Sequence, residues 1–143
     1  MGDRKIKPSR KLEDSPRPEK KIHQPVGISF RYVCAGADYC LSKFEADDVR
    51  EVMDCLRQLT TLTWMQVLQQ GGKGENKTGL GYTPYADEIL KHVSRPKNLS
   101  PDVSIAGIRA SQRLRIFGAY QDHVFYLLWF DRDHSIVPIK HKN

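Results

Sequence analysis

The chain contains no apolar run near the ~18 residues that a membrane span requires. Its N-terminus lacks the apolar centre of a secretory signal, and its acidic residues argue against a transit peptide. Cysteine is scarce: Cys34, Cys40 and Cys55 make an odd count with no Cys-x-x-Cys spacing, which excludes a disulfide framework and a zinc ribbon. Cys55 falls on the apolar side of a helical pattern and reads as a small core residue. There is no His-x-x-x-His helix to hold a metal, no Gly-x-x-x-x-Gly-Lys-Ser/Thr phosphate loop, and no nucleophile elbow around Ser111 or Ser135. No internal repeat is visible. These absences lead us to expect a cytoplasmic protein in a reducing compartment, acting with neither metal nor cofactor and without a membrane.

The N-terminal stretch is also short of core-forming residues. Within residues 1–25, Ile6, Leu12 and Ile22 are the only large aliphatics before the closing Pro25. Eight Lys or Arg residues stand there against four acidic ones, so this stretch accounts for most of the chain's net charge of +6. Such a segment cannot bury enough surface to offset its ordering entropy. It reads as a disordered basic tail, leaving 26–143 as a single domain of ordinary size.

Within that domain, Ile28–Val33 alternates apolar and polar residues and reads as the first strand. Glu45–Leu59 carries Val49, Val52, Met53, Leu56 and Leu59 at helical spacing, with acidic residues at its start. Leu62–Gln69 reads as a second helix burying Leu62, Met65 and Leu68, with Trp64 and Val67 on its flank. A glycine-rich loop at 70–81 follows, its cations being Lys73 and Lys77. Tyr82–Val93 is ambiguous, with room for a short helix after Pro84. Val103–Ile108 is strand-like, and Ala110-Ser-Gln112 turns into a hairpin of Arg113–Ala119 and Val124–Phe130 across Tyr120-Gln-Asp-His123. The order β-α-α-β-β-β, with helices first and strands last, predicts an α+β fold: two helices packed on a curved, mainly antiparallel sheet.

The hairpin holds the chemistry. Arg113 and Arg115 alternate with Leu114 and Ile116, which sends both guanidinia to one face and gives the sheet a dry back and a basic front. The second strand runs into Asp131-Arg132-Asp133-His134. Cutting RNA by attack of its own 2′-hydroxyl needs a base, an acid and cations for the crowded charge of the transition state. An imidazole at His134 suits either proton-transfer role, and Arg113, Arg115 and Arg132 suit bidentate phosphate contacts. Asp131 is a candidate to orient the imidazole or an arginine. Tyr120 and Tyr126 are candidates to stack on an unpaired base, and Lys73 and Lys77 to touch the substrate. The plain alternative is that His134 ends a strand and the arginines pair with neighbouring aspartates.

The element order, with Arg113-Leu-Arg-Ile-Phe-Gly118 and Val124-Phe-Tyr-Leu-Leu-Trp-Phe-Asp-Arg-Asp-His134-Ser-Ile-Val-Pro138, resembles the RelE/ParE superfamily of bacterial toxins, as a divergent branch, over roughly 28–138. The resemblance implies a RelE-like fold and an endoribonuclease that cleaves mRNA, in some members on the ribosome. It also implies a small antitoxin protein as partner. Arg115 matches the arginine of the family's penultimate strand, and His134 lies in the region of its C-terminal catalytic residue. The lysine-rich segment of the family is represented only by Lys73 and Lys77, and Pro138 stands where a tyrosine often follows. Two other readings use the same sheet: a non-catalytic RNA- or protein-binding module, and a ParE-like gyrase inhibitor.

Overall fold

The structure, a computed structural model, describes residues 23–71 and 79–138. Most of the basic tail, both loop lysines and the last five residues lie outside that range. A mixed five-stranded sheet forms the centre. Its strands are β1 (Gly27–Ser29), β2 (Thr83–Tyr85), β3 (Ile105–Arg109), β4 (Leu114–Gln121) and β5 (Val124–Arg132). They lie in the order β1-β5-β4-β3-β2, with β1 parallel to β5 and every other pair antiparallel. The helices are α1 (Ala46–Thr60), α2 (Trp64–Gln69) and a single turn, α3 (Asp87–Leu90). The fold is therefore α+β.

The β4–β5 hairpin extends further than its apolar blocks alone imply, because its turn is only Asp122-His123. Both residues are left-handed, at φ 52° and 63°. Two consecutive left-handed residues make the turn whose twist matches paired strands, so Tyr120 and Gln121 stay in the ladder. A bulge at Phe117/Gly118 is tolerated because glycine lets the β5 backbone and the Phe125 ring come close. β2 is a strand that the sequence pattern does not disclose, since Pro84 sits in its middle. It lies at the sheet edge, where a missing N–H costs little. The first strand is shorter than expected, for the chain turns at Phe30, whose carbonyl accepts from the Val33 amide at 3.0 Å.

α1 buries Val52, Cys55, Leu56 and Leu59, a stripe at i, i+3, i+4 and i+7. Met53, expected in that stripe, points outward and is 63% exposed. The expected face of α2 is also wrong: Trp64 and Val67 are buried, while Met65 and Leu68 face solvent. Two interactions set this rotation. Thr63 and Gln66 form a reciprocal capping box, which starts the helix at Trp64. The Trp64 indole then stacks parallel on Tyr120 at 3.6 Å, and burial of so large a ring outweighs that of a methionine.

The two helices cover one face of the sheet, packing on Ile108, Leu114, Ile116, Phe125, Leu127 and Phe130. The opposite face is not the open basic front expected of it. Leu90, Val93, Leu99 and Ile136 close over Ile105, Phe117, Leu128 and Trp129 to make a second core. Beyond the aromatic row, the end of that face carries Arg109, Arg115 and Asp131. Among the described residues no helix is long and apolar enough to cross a membrane.

Candidate functional site

Strand register places three charged residues in one row at that end of the second face. Arg109 of β3 lies opposite Arg115 of β4, and Arg115 lies opposite Asp131 of β5. Like charges directly across a ladder repel, and among the described residues neither guanidinium has a carboxylate at ion-pair distance. Arg115 curls toward the β3–β4 turn, where its Nη1 donates to the carbonyls of Ser111, Leu114 (3.1 Å) and Gln112 (3.4 Å). Its Nε and Nη2 have no acceptor among the described residues. The Arg109 Nη2 donates to the Gly79 carbonyl at 3.0 Å, beside the neck of the glycine-rich loop. Burial, then the neighbouring Arg109, pushes the Arg115 pKa down, while Tyr85 and Asp131 oppose that shift. The positive pair is thus held at an electrostatic cost that an anion would relieve. Arg109 is absent from the sequence-based site, since its place opposite Arg115 depends on the length of the 110–113 turn.

His134 sits on a strained turn just beyond β5, where Asp133 and His134 are both left-handed at φ 68° and 58°. Three sets of contacts hold it. The Asp131 carboxylate accepts the amides of Ser135 (3.1 Å) and Ile136 (2.8 Å). The Asp133 amide donates to the Arg113 carbonyl at 3.0 Å. The His134 Nε2 lies 2.8 Å from the Gln112 carbonyl oxygen. A carbonyl only accepts, so Nε2 carries the hydrogen and the neutral ring keeps its lone pair on Nδ1. Gln112 therefore joins His134 and Arg115 at one oxygen. Asp131, proposed from sequence to orient the imidazole or an arginine, has its hydrogen bonds to the turn backbone, and it touches the imidazole's position only through that turn.

Asp131 is 1% exposed. Burial raises its pKa, against the amides of Ile136 and Ser135 and the nearby His134, which favour the carboxylate. With the folded-state pKa above the unfolded one, the folded chain binds this proton more tightly. The penalty is absent at low pH and grows as pH rises through the carboxylate range. The wild type should therefore gain stability relative to Asp131→Asn when pH falls from about 7 to about 4. Urea midpoints of both proteins at the two pH values test this, and a relative loss by the wild type on acidification would contradict it.

The remaining expected residues are dispersed. Arg113 Nε pairs with Asp133 at 3.4 Å, and Arg132 reaches the helix side to pair with Asp48 at 3.3 Å and Asp133 at 3.9 Å. Their charge is already balanced. Tyr120 gives one face to Trp64, and Tyr126, near the far end of β5, packs edge-on against Tyr32 at 5.4 Å. A groove of about 370 Å³ between α1 and the β3–β4 turn is bordered by Glu51, Asp54, Arg109 and Gln112. Its acids would repel phosphate, which directs an anionic ligand to the sheet face of the arginines. Cys55, hydrogen-bonded to the Arg109 carbonyl, has its pKa pushed by burial to about 12, so it is not a nucleophile at neutral pH. Among the described residues, no three His, Cys, Asp or Glu side chains gather as a metal site would require.

Comparison with protein-family models, curated proteins and solved structures returns no match for this chain.

Proposed function

We propose that this chain is an endoribonuclease that cleaves single-stranded RNA, acting as the toxin of a toxin–antitoxin pair. The observation behind this reading is the Arg109–Arg115 pair, opposite each other in the strand register, with Arg115 sharing the Gln112 carbonyl with His134. The pair would neutralise the charge that develops on phosphate, in a half-buried setting where such contacts gain strength. His134 presents Nδ1 as the base for the 2′-hydroxyl. Arg113, Arg132, Asp48 and Asp133 form the ion-paired frame around it. The toxin assignment rests on the resemblance to the RelE/ParE superfamily, and with it come the antitoxin partner and a cytoplasmic location.

The test is direct. Purified chain should cut single-stranded RNA, and expression without a partner should arrest growth and deplete intact mRNA. Arg109→Gln should change stability by less than about 1 kcal/mol while weakening RNA binding and lowering its salt slope by about one counterion. Intact RNA and normal growth at high expression would overturn the nuclease reading. Steep, salt-dependent RNA binding without cleavage would favour the non-catalytic module.

A further inference from the structure

We infer that Tyr85 is the third donor of a phosphate-binding subsite whose other members are Arg109 and Arg115. The inference rests on the RNA reading for its natural substrate, a phosphodiester, but not for the anion itself. Tyr85 ends β2, the edge strand beside β3, and pairs with Ile105. Its ring leans across Gly107, which shares the face of Arg109 two residues further on. Glycine gives the ring this room, for a Cβ at position 107 would lie 3.2 Å from the Tyr85 Cε2 and 3.3 Å from the Phe117 Cε2 and would push the rings outward by a few tenths of an ångström. The ring also rests on Phe117 with centroids 5.7 Å apart, and Phe117 shares the face of Arg115 two residues earlier on β4. The phenol edge is thus set at the boundary between the aromatic row and the arginine row.

Electrostatics agree with that placement. Burial raises the Tyr85 pKa, with Arg115 and then the Thr83 hydroxyl working the other way. The phenol stays protonated at neutral pH and donates a hydrogen bond, adding no negative charge beside the guanidinia. Two cations and one neutral donor suit the non-bridging oxygens of a singly charged phosphodiester. The subsite is reached across the sheet from the β2 side, whereas His134 approaches Arg115 from the β5 side. A phosphate seated on the arginines would therefore lie between the tyrosine hydroxyl and the imidazole.

The experiment titrates the full chain with inorganic phosphate while following the arginine Nε–H resonances by NMR. The signals of Arg109 and Arg115, assigned by substitution, should shift together. Tyr85→Phe, which keeps the ring packing and loses only the hydroxyl, should weaken phosphate binding about tenfold or more, as expected for a hydrogen bond to a charged group. Tyr32→Phe, at the far end of the sheet beside Tyr126, should bind as the wild type does. Gly107→Ala keeps every donor group but shifts the ring that carries one of them, and should weaken binding in the same direction. The inference is overturned if Tyr85→Phe binds phosphate as tightly as the wild type, or if phosphate leaves both arginine signals unmoved. Phosphate binding that depends on Tyr85, in a protein that leaves RNA intact, would support the subsite and remove the nuclease reading.

Discussion

Phe125→Ala should destabilise the chain by about 3–5 kcal/mol, the range for truncating a fully buried aromatic. The ring is wholly inaccessible, lies in the core beneath α1 and α2, and pairs through its backbone with Tyr120 on β4 and Ile28 on β1. It also meets the bulge, since a Cβ at Gly118 would lie 2.6 Å from the Phe125 Cε2 and 2.5 Å from the Tyr126 carbonyl oxygen. Gly118→Ala should therefore be destabilising as well, through overpacking. The two losses should not add, because removing the ring relieves part of the crowding at Gly118. Relief is incomplete, for the Tyr126 carbonyl belongs to the backbone and cannot move aside. Urea unfolding of both single mutants and the double mutant measures the coupling. A loss below about 1 kcal/mol for Phe125→Ala would mean that the ring does not hold the core described for it.

The parts of this fold that were legible in the sequence are those where one local signal dominates. The hairpin was visible because β-branched and aromatic residues flank a short polar turn. α1 was visible because its buried stripe repeats at helical spacing. Where two signals compete, the sequence misled: the segment 62–69 holds both a Leu62/Met65/Leu68 stripe and a Trp64/Val67 stripe, and the capping box at Thr63 together with stacking on the distant Tyr120 decides between them. β2 was hidden because Pro84 masks strand character that an edge position tolerates. The candidate site divides in the same way. Arg115 and His134 stand out by residue type, whereas Arg109 and Tyr85 join them through strand register and through the missing side chain of Gly107. Arg113 and Arg132 look identical to Arg115 in sequence, yet each meets an aspartate in space. The pairs with Asp133 are the plain alternative read from the sequence, whereas Asp48 lies on α1, beyond what alternation along a strand can reveal.

The largest functional effect should come from His134→Asn. Asparagine tolerates the left-handed conformation at this position better than alanine does, although its shorter amide stops near the Nδ1 position and gives up the bond that Nε2 makes to the Gln112 carbonyl. The variant should fold with little loss, keep the Asp131 cap on Ser135 and Ile136, and bind RNA with unchanged affinity. It cannot take a proton near neutral pH. Cleavage should accordingly fall by about 10²–10⁴-fold, the usual contribution of a positioned general base. His134→Ala is the poorer probe, because a left-handed alanine adds strain of roughly 1–2 kcal/mol and confounds lost chemistry with a loosened turn. Rates measured with saturating RNA, beside affinities measured separately, distinguish the outcomes. Cleavage at the wild-type rate would remove His134 from the chemistry, and the ring would then serve only to tie the turn after β5 to the β3–β4 turn. Loss of RNA affinity together with cleavage would make His134 a binding residue. Lost cleavage with intact affinity is what a base presented at Nδ1 beside the Arg109–Arg115 pair requires.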